Sequence, residues 1–464
     1  MTSKFDDTIA APATIPGTGA VAIVRLSGPE AFTIVDKVVT LRSGKVSEAK
    51  GYTVHFGSVS DLDDVLVTVF KAPLSYTGED SVEISIHSSE YIASELLQRL
   101  LRAGARAAEP GEFTRRAFLN GKLDLAQAEA VADIISSNAE ASHRVAYAQL
   151  KGGFSKELSA LREQLVEMAS LLELELDFSE EDVEFASRAR LHSLLNETIS
   201  HIEKLSASFR IGNAIKKGVP VAIAGAANTG KSTLLNALLG EDRAIVSDIA
   251  GTTRDTIEET LTIGGILFRF VDTAGIRRTD ETVERLGIDR TFEAIDRAEI
   301  VLGVLDRTLP EDEIIASAKQ LSEVAKKAGA RLIFVLNKAD LALNKNVIIE
   351  NSIVSLIENK EDVVTLSAKT GLGLENLKNR LEQLVKARIG DENSTLVTNL
   401  RHYEALTEAA SSLRRARTAL SSGIPSDLVA EDLRSALSSL GSITGTITTP
   451  DILQNIFSHF CIGK

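Results

Sequence analysis

The chain has 464 residues, 44% hydrophobic and 25% charged, with 51 Lys and Arg against 65 Asp and Glu for a formal charge of −14. At roughly 100–200 residues per domain this is a globular chain of several domains, and its charge excludes a generally basic surface that coats nucleic acid, though not a local basic groove. A single cysteine, Cys461, excludes an intramolecular disulfide. With no apolar run of about 18 residues and no signal-like apolar core near the start, the expectation is a cytoplasmic protein without a membrane span.

Residues 1–120 read as short strands separated by turn signals. Ala20–Ser27, Tyr52–Val59, Val65–Phe70 and Val82–His87 are the clearest, with helices expected near Ala31–Val39 and Tyr91–Ala103. This predicts an α+β domain. From about Leu123 the period lengthens. Leu123–Leu150 and Ser155–Leu176 carry apolar residues at three- and four-residue steps, in the second stretch Leu158, Leu161, Leu165, Met168 and Leu172. Residues 189–216 also read as helix, after an acidic break at Asp177–Glu184. At Gly218 the pattern changes to short apolar runs: Val219–Ala226, Ile266–Val271, Ile300–Asp306, Arg331–Leu336 and Val363–Leu366. Helical stretches separate them, which describes a mostly parallel α/β sheet. Lys386–Lys464 is helical again, with an interruption at Gly441–Thr449. The expected organisation is an N-terminal domain over 1–120, a helical domain in two pieces, 121–216 and 387–464, and an α/β domain over 217–386 inserted between them.

The α/β segment carries a nucleotide site. Residues 225–232, GAANTGKS, fit G-x-x-x-x-G-K-[ST] between an apolar strand and the helix STLLNALL. Glycines let backbone N–H groups converge on phosphate oxygens across Asn228, Thr229 and Gly230. Lys231 should reach the β- and γ-phosphates, Ser232 should bind Mg²⁺, and Thr233 follows in the first helical turn. Asn337-Lys338-Ala339-Asp340 ends the strand RLIFVL, on the edge where ligands bind in such sheets. The Asp340 carboxylate can accept from guanine N1–H and the 2-amino group, which adenine cannot offer. Ser367-Ala368-Lys369 ends a further strand and suits a loop contacting guanine O6. Asp272-Thr273-Ala274-Gly275 ends ILFRFV, where Asp272 can hold the Mg²⁺ shell and Gly275 can donate to the γ-phosphate. Gly251-Thr252-Thr253-Arg254-Asp255 lies between the P-loop and this strand, where a mobile switch belongs, with Thr253 the favoured Mg²⁺ ligand. Together these point to GTP rather than ATP.

Ras-like enzymes place a water-orienting glutamine after the DxxG glycine, but here that residue is Ile276. Another group must position the water and neutralise charge. Asn228 stands beside the phosphates and admits two readings, a ligand for a monovalent cation in the place of an arginine finger or a loop-stabilising amide.

Read with the chain end Phe460-Cys461-Ile462-Gly463-Lys464, these motifs resemble the bacterial tRNA-modification GTPase family MnmE (TrmE). The resemblance covers the whole chain and extends to DTIAA at 7–11, VRLSG at 24–28, YTGED at 76–80, PGEFT at 110–114 and RAFLNGKLDLAQAEA at 116–130. It implies an N-terminal α+β domain that binds a tetrahydrofolate derivative (5-formyl- or 5,10-methylene-tetrahydrofolate) and supports a homodimer. It also implies a discontinuous helical domain and an inserted Ras-like P-loop G domain with a mostly parallel sheet. The implied activity is GTP hydrolysis, activated by K⁺ when the G domains of a dimer associate. Working in a heterotetramer with an FAD- and NADH-dependent MnmG-type partner, which carries the FAD, such a protein adds an aminomethyl-type group, such as carboxymethylaminomethyl, to C5 of wobble uridine in certain tRNAs.

By position the resemblance assigns K⁺ to Asn228, Ser247, Ile249 and Thr252, and Mg²⁺ to Ser232 and Thr253. Asp248, Ala250 and Gly251 complete the nucleotide-binding switch loop, and Glu284 orients the attacking water. Folate is assigned to Arg25, Glu83, Lys122 and Lys464. The local pattern is compatible, since period-two alternation puts Glu83, Ser85 and His87 on one strand face. Cys461 admits two roles, a small packed residue near the folate site or a thiolate nucleophile toward uridine C6. The lack of a marked activating base favours the first. The chain departs from the family pattern at Ser88-Ser89, where His87 is usually followed by two glycines, at Thr18, where a basic residue is common, and at Ala226-Ala227 in the P-loop. A regulatory binding switch of the ribosome-assembly kind is the alternative, but it would expect a basic KH-like or second G domain where this chain is helical and acidic to neutral. A folate enzyme with an incidental G domain is the third reading.

Overall fold

The computed structural model describes residues 6–177, 188–241, 259–271, 294–341, 352–357, 359–389, 395–422, 424–458 and 460–464. These form a multidomain α/β protein in two compact units. One contains Met1–Ala132, Gln149–Leu191 and Arg415–Lys464; the other contains Asp133–Ala148 and His192–Arg414.

The first unit holds a seven-stranded sheet of β1 (Ile9–Pro12), β2 (Val21–Ser27), β3 (Thr40–Leu41), β4 (Thr53–Val59), β5 (Asp63–Phe70), β6 (Ser81–His87) and β7 (Arg106–Ala107). Their order is β3-β4-β5-β6-β2-β1-β7, antiparallel except for β1 with β7. Alternation decides which face is buried. Val24 and Leu26 on β2, Val65, Val67 and Val69 on β5, and Val82 and Ile84 on β6 pack into one core. That core includes Ile34 and Val35 of α1 (Ala31–Val38) and Leu96 and Leu100 of α2 (Glu90–Arg102). The opposite face carries Arg25 of β2 directly across from Glu83 of β6.

Helix α3 (Glu112–Leu119) follows, then α4 (Leu125–Ser136) and α5 (Glu140–Leu150). The expected single stretch from Leu123 to Leu150 is thus broken. Ser137 Oγ donates to Ile134 O at 2.7 Å and Ser142 Oγ to Ala139 O at 2.8 Å, so side chains compete for the helical carbonyls at the break. In α6 (Gly153–Asp177) the expected stripe Leu158, Leu161, Leu165, Met168 and Leu172 is fully buried, and the helix packs on the later helix Ser426–Thr444. Helices α7 (Arg188–Ala207) and α8 (Phe209–Lys217) lead into the α/β segment.

In the second unit β8 (Val219–Ala224), β9 (Glu259–Ile263), β10 (Ile266–Phe270), β11 (Ile300–Asp306), β12 (Arg331–Asn337) and β13 (Val363–Thr365) take the order β13-β12-β11-β8-β10-β9. All pairs are parallel except the β9–β10 hairpin, whose Gly264 and Gly265 have φ of +55° and +76°. Helices α9 (Lys231–Glu241) and α11 (Leu374–Ile389) contribute to one core, and α10 (Glu311–Ala328) to the core of the other face.

After α11 come α12 (Leu400–Ser421), α13 (Ser426–Thr444) and α14 (Pro450–Ser458). The interruption expected from Gly441 begins later, because α13 continues through Gly441 to Thr444. It ends at Gly445, whose φ of +81° is the left-handed cap that glycine favours. A Cβ there would meet the Phe118 ring at 2.7 Å, so the turn packs tightly on α3. Among the described residues no helix is long and apolar enough to cross a membrane.

Candidate functional site

The carboxyl ends of β8, β11 and β12, with the loop after β13, gather the nucleotide motifs. Gly225 leaves β8 at φ +155°, Asn228 turns at +61° and Gly230 at +96°, curling the loop back into α9. A Cβ at Gly225 or Gly230 would overlap the Val304 carbonyl or the Asn337 amide, so both glycines allow close approach. Lys231 Nζ donates to the carbonyls of Gly225 at 3.0 Å and Ala226 at 2.8 Å, which holds the ammonium over the loop. Burial lowers its pKa.

One buried side chain joins three motifs. Asn337 Nδ2 donates to Thr229 O of the P-loop at 2.9 Å, and Asn337 Oδ1 accepts from Ala368 N at 2.9 Å. An amide can do this because it offers a donor and an acceptor a few ångströms apart. Thr229, Asn337 and Ser367 are buried, and Ala339 N donates to Leu366 O at 3.1 Å, which sets Asp340 beside the Ser367–Lys369 loop. Lys338 pairs with Asp306 at 2.5 Å, and Thr308 donates to Asp306 through N and Oγ1 at 2.9 and 2.6 Å. Burial works against the Asp306 charge, but the bonds from Lys338 and Thr308 outweigh it and hold the carboxyl below its ordinary range. Asp306 was not singled out from sequence. As the last residue of a buried strand it differs from a surface acid only through Lys338, which lies 32 residues away.

The Asn228 side chain is exposed and makes no hydrogen bond among the described residues. Ser232 and Thr233 open α9. Ser247, Asp248, Ile249, Ala250, Gly251, Thr252 and Thr253, together with Asp272, Thr273, Ala274, Gly275, Ile276 and Glu284, lie outside the described residues.

A second polar site lies on the outer face of the N-terminal sheet. Arg25 Nη2 meets Glu83 Oε1 at 2.7 Å and Arg25 Nε meets it at 2.9 Å, while Arg25 Nη1 donates to Gly463 O at 3.3 Å. The Arg25 guanidinium lies 5.8 Å from the Tyr76 ring centre and 5.7 Å from that of Phe113. The chain end is brought here by Phe457 and Phe460, which pack with Leu125 and Ala128. Lys464 is close enough to feel Arg25, Glu83 and Cys461. Burial first, and then the Arg25 charge, lowers its pKa. Three of the four residues named for this pocket therefore converge. Lys122 donates to Pro73 O at 3.1 Å and makes no hydrogen bond or ion pair with the other three. Cys461 is exposed. The Ser88 departure has a structural role, since its Oγ donates to Gly17 O at 2.9 Å and so ties down the glycine-rich turn.

The same unit holds a buried ion network. Arg116 is fully buried and pairs with Asp7 at 2.7 Å, Glu112 at 3.1 Å and Glu79 at 3.3 Å, and Arg106 pairs with Glu112 and Asp7, each at 2.6 Å. Glu79 also accepts from Ser27 Oγ at 2.8 Å. Burial disfavours the Glu112 and Asp7 charges, yet hydrogen bonds from the arginines leave both carboxyls below their ordinary range.

Two family models match the chain. One, the GTP-binding protein TrmE N-terminus, covers residues 8–122, and the other, the MnmE helical domain, covers residues 125–461. The chain is 49% identical over 465 residues to the tRNA modification GTPase MnmE of Flavobacterium johnsoniae, covering 99% of each chain. It is 50% identical over 467 residues to that of Cytophaga hutchinsonii, covering 100% of this chain and 99% of the relative. The figure for Bacteroides fragilis is 50% over 469 residues, with 99% of each chain covered. The chain belongs to the MnmE family of tRNA modification GTPases.

Proposed function

We propose that this protein binds and hydrolyses GTP at the P-loop site and that hydrolysis serves the modification of tRNA. The observation that carries the nucleotide reading is the Asn337 side chain, which binds Thr229 of the P-loop and Ala368 of the third motif at once. Asp340 recognises guanine through its N1–H and 2-amino group, and Lys231 neutralises the phosphate oxygens. Ser232 and Thr253 would hold Mg²⁺, whose charge would offset that of the phosphate oxygens. The Ser232 position fits, because a hydroxyl at the start of α9 next to Lys231 is a hard oxygen donor at the phosphate end of the loop.

The finer reading goes further. With Ile276 in the place of a glutamine, Asn228, Ser247, Ile249 and Thr252 hold K⁺, and Glu284 orients the water. The Asn228 amide supports this, since it is exposed and makes no hydrogen bond among the described residues. Arg25, Glu83 and Lys464, with Lys122, bind a tetrahydrofolate derivative. The carboxylate takes the pterin N–H edge and the cations take the anionic tail. A homodimer working in the cytoplasm with an FAD-dependent partner adds an aminomethyl-type group at C5 of wobble uridine. Relatedness along the full length favours this over a regulatory ribosome-assembly switch.

GTP hydrolysis by the purified protein, in KCl or NaCl at matched ionic strength, tests the cation. Selective stimulation by K⁺ that disappears in Asn228→Ala is the expected result. Equal rates in the two salts would overturn the K⁺ reading and leave GTP hydrolysis to an external activator.

A further inference from the structure

The chain enters the inserted α/β segment through α8 and leaves it through α11, and one carboxylate meets both helices. Glu299 precedes β11 at the amino edge of the sheet, opposite the edge that carries the P-loop. Its backbone is fixed on two sides, with N–H donating to Pro220 O at 2.9 Å and C=O accepting from Arg331 N at 2.9 Å. Its side chain is 10% exposed. Oε1 accepts from Arg210 Nε of α8, and Oε2 accepts from Arg388 Nη1 of α11 at 3.1 Å. Arg210 also donates to Gly329 O at 3.3 Å, just before β12.

The two connections are joined to each other as well. Val397 N donates to Ser208 Oγ at 3.0 Å, Phe209 stacks on Tyr403 with ring centres 4.7 Å apart, and Gly212 lies so close to the Val397 carbonyl that a Cβ would overlap it. Both helices also pack on the sheet, since Ala214 and Ile215 of α8 and Val385 and Ile389 of α11 share one buried core with Val219 and Phe268. To this packing Glu299 adds a charged contact with both helices, at the residue that leads into β11. Arg210 and Arg388 are 55% and 43% exposed, so each pair alone contributes about 0–1 kcal/mol, and stability is a poor reason for their convergence. From Glu299, β11 runs fully buried to Asp306, the partner of Lys338 in the nucleotide site. At about 3.3 Å per residue this strand links the two edges as a stiff element.

We propose that Glu299 is a positioning residue that passes displacement of β11 at the nucleotide site to α8 and α11. The proposal rests on the reading of the P-loop as a GTP site. Hydrogen exchange of the full-length protein, with Mg²⁺ and K⁺ and with either GDP or a non-hydrolysable GTP analogue, tests it. In the wild type the change of nucleotide should alter exchange in the P-loop and, by about threefold, in 209–217 and 385–389. In Glu299→Gln the P-loop response should remain and the response of the two helices should vanish. A helix response retained in the variant would overturn the proposal. So would a wild type in which the P-loop responds and the helices do not. No response even at the P-loop would overturn the GTP reading and this proposal with it. If Glu299→Gln does not fold, the double variant Arg210→Gln/Arg388→Gln removes the same contacts from the exposed side. It should lose the helix response alone, and its retention would be equally fatal.

Discussion

The two polar sites are built by opposite means. The nucleotide site is made mostly of backbone at strand ends, with short motifs curling where parallel strands stop and one amide, Asn337, joining three of them. The N-terminal pocket is made of side chains that meet only after folding: Arg25, Glu83 and a chain end 438 residues from Arg25. The same unit holds charges buried in a network around Arg116. A site of the first kind depends on a few local bonds, and one of the second kind depends on the whole unit staying assembled.

The largest expected effect comes from breaking that assembly. Arg116→Met leaves Glu79 and Glu112 buried without their central partner, which costs about 3–5 kcal/mol. The denaturation midpoint of the first unit should fall while GDP affinity holds, and a joint loss of both would break the contrast. Next is Asn337→Ala. It strands the Thr229 carbonyl and the Ala368 N–H at about 1–3 kcal/mol each, so GDP binding should weaken by about a hundredfold in a fluorescent-nucleotide titration. An unchanged affinity would mean that the loops hold themselves.

The smallest effect is that of acid. The Asp7 and Glu112 carboxyls are depressed in the folded state, so their stabilisation is fully present above the ordinary carboxylate pKa and is lost as pH falls through the lower folded values. The melting temperature of the first unit should be flat from neutral pH to about 5 and should fall below about 4. A fall already complete at pH 5 would assign acid sensitivity to other groups.

Where residues alternate strongly, sequence and structure agree closely, as in β2, β4, β5 and β6 and in the buried stripe of α6. The short strands β1, β3, β7 and β9 escaped notice. They are two to five residues long and rich in small or polar residues, and only pairing with a neighbour makes them strands. The Arg116 network was hidden for a related reason. Asp7, Glu79, Arg106, Glu112 and Arg116 come from separate segments, and each taken singly reads as a solvated surface charge.

What the sequence by itself determined is the chemistry that short-range order can express: glycines before Lys231, an acid at 340 for guanine, apolar periods that separate sheet from helix, and a family pattern spanning the whole chain. What only the tertiary structure decided is which distant charges meet. Asn337 spans two loops, Lys464 comes to Arg25 and Glu83, and Glu299 takes an arginine from each of two helices. Periodicity constrains a residue's neighbours a few positions away, whereas contacts across tens or hundreds of residues depend on how sheets and helices pack.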